Sequence, residues 1–220
     1  MPRVSERLAT AVLVSGAGTN LQALLDGVHG REAEIVAVAS NVPDAPALAR
    51  ARARGVPTGV FSRADYPDRG LRDAALAEGV AEHGARLVVL AGYMEILAEA
   101  FLERFPGAVI NVHPSLLPAF PGTRAIEQAL AYGVKVFGVT IHFVDAGVDS
   151  GPVILQRAVE LPDASDADEV LVALRPLEHS LLPEAVRLLA RGAVRADEHN
   201  PRRVLVDPAG GIGSARGLLG

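Results

Sequence analysis

Four short runs of this chain, Thr10–Ser15, Ile35–Ser40, Leu87–Ala91 and Val109–Val112, are apolar at nearly every position. A strand with one wet face alternates apolar and polar residues. A strand that is apolar throughout has both faces covered, the pattern of a parallel sheet held between layers of helices. Between these runs lie Ala-, Leu- and Arg-rich stretches with helical spacing, Leu21–Gly27, Ala45–Gly55 and Leu71–Gly84, closing on glycine as helix ends often do. The βαβα order predicts an α/β chain built on an open, mostly parallel, doubly wound sheet. Val134–Phe143 and Val153–Leu161 read as two more strands, joined by too few residues for a crossover and so predicted to be an antiparallel pair. A helical pattern then runs from about Ala167 to Ala190 and contains Pro176 and Pro183. Each proline removes a backbone donor and crowds the preceding turn, which predicts a kinked or broken helix.

Nothing marks a second domain. Residues 1–207 read as one unit, and the Gly-rich, aperiodic segment 208–220 reads as a disordered tail. The 220 residues contain no cysteine, which removes a disulfide scaffold, a thiolate metal site and a Cys nucleophile. A formal net charge of −5 argues against an extended nucleic-acid surface. Met1–Thr10 has charges and no long apolar core, so no signal peptide is expected, and no run of about 18 apolar residues offers a membrane span. These features predict a soluble cytoplasmic protein.

In open α/β sheets ligands bind at the carboxyl ends of the strands. Ser15-Gly16-Ala17-Gly18-Thr19-Asn20 stands there, between the first strand and a helix. Its glycines let backbone N–H groups turn toward an anion at the helix N-terminus. It is not a dinucleotide fingerprint, because Leu21 replaces the third small residue and Ser40-Asn41 replaces the ribose-binding acid. The segment reads equally as a phosphate-sized cradle and as a plain tight turn. Asn111-Val112-His113-Pro114 ends a later strand, where alternation puts Asn111 and His113 on one face. A carboxamide and an imidazole side by side can donate to one developing oxyanion. The connection Val144–Pro152 carries Asp145 and Asp149, and it matters chemically only if a carboxylate there faces His113.

Taken together, SGAGTNLQALLD, VVLAGYMEIL (Val88–Leu97), NVHPSLLPAFPG (Asn111–Gly122) and GVTIHFVDAGVDSGPVILQ (Gly138–Gln156) resemble the phosphoribosylglycinamide formyltransferase family, folate-dependent enzymes of purine synthesis. The likeness runs from about Thr10 to Asn200. The His-Pro-Ser-Leu-Leu-Pro block is shared with methionyl-tRNA formyltransferase and formyltetrahydrofolate hydrolase, so it speaks for the chemistry and the remaining motifs for the acceptor. The resemblance implies the formyltransferase fold, with 10-formyltetrahydrofolate as co-substrate, glycinamide ribonucleotide as acceptor, and no metal. It implies that Gly16, Ala17, Gly18, Thr19 and Asn20 hold phosphate and ribose, with Arg63 as cationic partner and Glu178 on the glycinamide end. Backbone groups around Tyr93, Met94, Glu95, Ile96 and Leu97, and the 143–149 segment with Phe143, Val144, Asp145 and Asp149, would grip the pterin ring of the folate.

Asn111, His113 and Asp149 would carry catalysis. The amine attacks the formyl carbon to give a tetrahedral intermediate. Asn111 and a protonated His113 stabilise the oxyanion, while Asp149 holds His113 and takes up the amine proton. His142 reads equally as a core or supporting residue and as a direct participant. His29, His83 and His199 read as surface histidines. Glu95, Arg124 and Ile126 depart from residues found in relatives, at the mouth of the folate site. A hydrolase that gives the formyl group to water, and a non-catalytic folate- or nucleotide-binding regulator, are the competing readings. Some relatives form dimers, which leaves a homodimer open.

Overall fold

The computed structural model describes residues 7–207; the 208–220 tail anticipated above lies outside them. Nine strands are present among the described residues: β1 (Leu8–Val14), β2 (Ala33–Ser40), β3 (Thr58–Val60), β4 (Leu87–Leu90), β5 (Val109–His113), β6 (Val136–Phe143), β7 (Val153–Glu160), β8 (Val194–Ala196) and β9 (Val204–Val206). The helices are α1 (Thr19–Gly27), α2 (Pro46–Ala53), α3 (Arg69–Ala81), α4 (Glu99–Arg104), α5 (Ala125–Tyr132) and α6 (Ala167–Ala190), with a 3-10 turn at Arg63–Asp65.

Seven strands form one sheet in the order β3-β2-β1-β4-β5-β6-β7, parallel from β3 through β5 and antiparallel at the β5–β6 and β6–β7 pairings. β8 and β9 make a separate antiparallel pair. The uniformly apolar strands do bury both faces. Along β1, Val12 and Val14 join one hydrophobic cluster with α1, α2 and α6, while Ala11 and Leu13 join a second with α3 and α4. The same split divides Leu87 and Val89 from Val88 and Leu90 on β4.

One local expectation is corrected in part: the prolines do not break the last long helix. α6 runs unbroken for 24 residues through Pro176 and Pro183. Its entry is well fixed, since the Asp166 side chain accepts from Glu169 N–H at 2.8 Å and Glu169 reaches back to Ser165 N–H at 3.1 Å. Pro176 lies on the exposed side beside Val172, where water can take the carbonyl it frees. Pro183 is buried against α1, close enough that a Cβ on Gly27 would stand 3.1 Å from its ring. Packing of α6 on α1 and β6 therefore overrides the local cost of the two prolines.

After β1 the chain turns to β2 on one side, and β4, on the other side of β1, leads to β5. Strand order reverses there, and the crevice at the carboxyl ends of β1 and β4 is where this architecture holds ligands.

Candidate active site

The β1–α1 turn is shaped by one glycine above all. Gly18 has φ 73°, and a Cβ there would lie 2.5 Å from the Ala47 side chain, so only glycine fits between α1 and α2. Gly16 O accepts the Ala47 N–H at 3.1 Å and Ala17 O accepts Arg50 Nε at 2.8 Å, which fixes the loop from behind. No side chain caps α1, so the N–H groups of its first turn remain free for an anion. Just inside, Asn20 Nδ2 donates to Glu178 Oε2 at 3.0 Å, and both residues are buried. Burial pushes the Glu178 carboxyl up, against the opposing pull of the Asn20 hydrogen bond and Arg175.

Ser15 joins this cradle to the segment after β4. Its N–H donates to Gly92 O at 3.1 Å, and its hydroxyl accepts the Met94 N–H at 2.8 Å. Residues 92–97 then form one wall of a cavity of about 590 Å³, with the large apolar side chains of Met94 and Ile96 exposed along it. Tyr93 is buried in the same wall; burial, with help from nearby Asp73 and Glu95 and against Arg72, pushes its hydroxyl up to about 12.

Asn111 and His113 enter the cavity from β5, and His142 from β6, where it is the cross-strand partner of Asn111. His113 Nε2 donates to Phe120 O at 2.9 Å, which turns Nδ1 toward Asp149 Oδ2 at 3.4 Å. His142 Nδ1 donates to Phe143 O at 2.8 Å, leaving Nε2 3.3 Å from Asn111 Nδ2 and 3.6 Å from Asp149 Oδ1. Neutral, that nitrogen accepts from Asn111; protonated, it donates to Asp149. Asn111 Nδ2 also reaches Asp149 Oδ1 at 3.4 Å, and Gly122 N–H donates to Asp149 Oδ2 at 2.7 Å. Burial alone would raise the Asp149 carboxyl. The His142 ring, the Gly122 N–H and the adjacent His113 outweigh it and hold the carboxyl at about 2. Asp149 is thus a fixed negative charge at neutral pH. The contacts from Asn111 and His113 to Asp149 are long, so these donors can shift to an incoming oxygen at small cost.

The match to known proteins decides the family. Residues 8–186 fit the formyl transferase family model. The chain belongs to the formyl transferase family. It is 44% identical over 184 residues to the phosphoribosylglycinamide formyltransferase of Mycobacterium tuberculosis (strain ATCC 25618 / H37Rv), covering 83% of this chain and 85% of that one. The trifunctional purine biosynthetic protein adenosine-3 of Drosophila pseudoobscura pseudoobscura is 42% identical over 193 residues, 86% of this chain; the chain spans only 14% of that longer protein. The crystal structure of glycinamide ribonucleotide transformylase 1 from Symbiobacterium toebii superposes with a TM-score of 0.87 at 45% identity, covering 91% of this chain and 94% of that one.

In this chain, Tyr93, Met94, Glu95, Ile96, Leu97, Asn111, His113, His142, Val144, Asp145 and Asp149 all line the same cavity. Phe143 does not. Its side chain is buried in the core cluster on the other side of β6, which leaves only its backbone for the expected contact with the folate ring. Ile126 is likewise core, whereas Arg124 is at the cavity. Asp145 serves its own loop, accepting from Gly147 N–H at 3.1 Å and Ser150 Oγ at 2.6 Å. Arg63 is exposed in the 3-10 turn beyond β3, two strands from the cradle. Arg175 was not anticipated; it precedes Glu178 by one helical turn and acts on it electrostatically, a spacing legible as i, i+3. Among the described residues no group of three or more His, Cys, Asp or Glu is arranged to hold a metal, and no helix is long and apolar enough to cross a membrane.

Proposed function

We propose that this chain transfers the formyl group of 10-formyltetrahydrofolate to the amino group of N1-(5-phospho-D-ribosyl)glycinamide, in the cytoplasm, on the way to purine nucleotides. The observation that carries the reading is the convergence of Asn111, His113 and His142 on one carboxylate, Asp149, inside a cavity tied through Ser15 to an open helix N-terminus. The cavity suits the donor. Its apolar lip at Met94, Ile96 and Val148 matches a flat ring system, and Asn111, His113, His142 and Asp149 line the same cavity.

When bound, the donor supplies an acyl carbon attached to an aromatic amine. The acceptor's phosphate rests on the N–H groups at Thr19 and Asn20, and Glu178 holds its glycinamide end. The neutral amine forms the new C–N bond, and negative charge develops on the formyl oxygen. Asn111 Nδ2 and protonated His113 Nδ1 donate to that oxygen, each worth about 3–4 kcal/mol at the transition state. Asp149 faces His113 Nδ1 and keeps the ring aimed. Being a weak base, it passes the amine proton on toward the leaving nitrogen, directly or through water, and does not store it. The C–N bond to the folate then breaks, and the nitrogen leaves protonated. His142 positions both Asn111 and Asp149.

The test is turnover of 10-formyltetrahydrofolate with and without glycinamide ribonucleotide, with mass spectrometry to locate the formyl group. Formylated nucleotide formed only when the nucleotide is present supports the reading. Formate released in its absence would identify a hydrolase and overturn the acceptor assignment.

A further inference from the structure

Arg72 and Asp73 stand side by side on α3 with no exposed surface at all (both 0%). An ion pair so placed contributes little net stability, because desolvation offsets the attraction. Its consequences lie in what it holds. Arg72 Nε and Nη2 meet Asp73 Oδ1 at 2.9 and 2.8 Å, and Arg72 Nη1 reaches Glu95 Oε2 at 3.0 Å. The second Asp73 oxygen accepts the Ala98 N–H at 2.6 Å. From the other side Asn41 Nδ2 donates to Glu95 Oε1 at 3.4 Å, and Asn41 Oδ1 accepts the Ser15 hydroxyl at 2.6 Å. Segment 92–98 is therefore held at Gly92 and Met94 by Ser15, at Glu95 by Arg72 and Asn41, and at Ala98 by Asp73. Of these anchors, Ser15, Asn41, Arg72 and Asp73 are absent from the cavity lining.

We propose that Arg72 is a positioning residue for the formyl donor: through Glu95, and with Asp73 gripping Ala98, it sets the 92–98 wall against which the donor packs. This rests on the reading of the cavity as the donor site. Tyr93 and Leu97 anchor the wall in the core cluster with α3 and α4, and the polar contacts fix the backbone between and beyond them. Its outward side chains, Met94 and Ile96, are 77% and 58% exposed and add no core packing. The chain from Arg72 through Glu95 and Asn41 to Ser15 also ends at the phosphate cradle, so wall and cradle share one scaffold.

Steady-state kinetics on the full chain test the proposal. Glu95→Ala removes the acceptor for both Arg72 and Asn41 and should raise KM for 10-formyltetrahydrofolate about tenfold, with kcat and KM for glycinamide ribonucleotide changed less than about twofold. Glu95→Gln keeps one oxygen, enough for Arg72 Nη1, and turns its NH2 toward Asn41, whose 3.4 Å contact is the longer of the two, so it should recover most of the donor KM, to within about threefold of the parent. Arg72→Lys keeps the charge but cannot reach Asp73 and Glu95 together, and should fall between the two. If Arg72→Lys does not fold, the Glu95 pair decides. A donor KM unchanged or lowered in Glu95→Ala overturns the proposal, the lowered value meaning that only the negative charge mattered. Equal effects of Ala and Gln overturn it too. Met94→Ala separates the two levels of the argument, since Met94 would touch the donor directly. A raised donor KM in Met94→Ala with none in Glu95→Ala sinks the Arg72 proposal alone; no change in either removes the donor-site reading with it.

Discussion

Asp149→Asn tests the electrostatics of the site apart from its shape. Asparagine keeps an oxygen for the Gly122 N–H and loses the charge that faces His113 and His142. The native carboxyl titrates at about 2 against an ordinary 3.8, a depression equivalent to about 2 kcal/mol of stabilisation of the charged form. Its side chain is only 15% exposed, so solvent screening takes little of this away. Because the folded value lies below the unfolded one, the contribution is complete above the unfolded pKa. It is lost as pH falls through the folded one, and about half remains at pH 3. The assay is urea unfolding of parent and variant at pH 5, where ordinary imidazoles carry their proton, and at pH 3. The parent should exceed the variant by about 2 kcal/mol at pH 5 and by about half that at pH 3. An equal gap at the two pH values, or none at pH 5, would refute the argument that the histidines and the Gly122 N–H hold this carboxylate. In the transfer assay the same variant should lose kcat by about two to four orders of magnitude, because the site would lose the charge that aims His113 and relays the amine proton.

Asn111→Ala should lower kcat by about two to three orders of magnitude while leaving nucleotide affinity unchanged by calorimetric titration; a tenfold loss or less would take Asn111 out of the oxyanion site. Gly18→Ala faces both a φ of 73° and a 2.5 Å approach to Ala47, so a loss of about 2–3 kcal/mol in urea unfolding and weakened nucleotide binding are expected together. A parent-like melting temperature would show that α2 yields freely. Glu178→Gln should separate stability from function. A carboxyl raised by burial loses stabilisation as pH rises through its folded pKa, so at neutral pH the neutral variant should melt at or above the parent temperature while its KM for the nucleotide rises. A lower melting temperature would mean that the carboxylate is better paired than its burial beside Asn20 indicates.

The residues that sequence alone could place, and those it could not, differ by the range of the interaction that places them. β1 and β4 were legible because burial on two faces leaves a local mark, apolar residues at every position. Asn111 and His113 were legible as a pair because strands alternate. The same rule, carried one strand further, turns the Phe143 side chain away: if His142 faces the cavity, its neighbour on β6 faces the core. α6 defeated local reasoning because the cost of Pro176 and Pro183 is a property of the isolated helix, whereas its packing on α1 and β6 is tertiary. Arg72 was hidden for a related reason. One arginine on an amphipathic helix reads as a solvated residue until Asp73, Glu95 and the 92–98 segment close over it.

The placement of Asp149 turns on the reversal of β6. Had β6 run parallel to β5, the connection following it would have left from the same end as His113. Running antiparallel, it begins instead beside Val109, where Val144 N–H donates to Val109 O at 2.9 Å. Residues 144–149 must therefore travel back along the sheet face that carries Asn111 and His113 before the chain can enter β7. The return is pinched shut at its base, where Phe143 N–H donates to Pro152 O at 2.9 Å and a Cβ on Gly151 would collide with Phe143 O at 1.8 Å. Within the loop Asp145 ties down Gly147 and Ser150, and Asp149 is left in the left-handed region at φ 50°, a costly conformation for a residue with a side chain. That strain is offset where its carboxylate meets Gly122 N–H, His113 and His142. The loop is thus shaped by its own hydrogen bonds but aimed by the site. A residue at 149 with no side-chain oxygen, such as Ala in Asp149→Ala, would lose the contacts that offset its backbone strain, and the loop over the cavity should loosen along with catalysis.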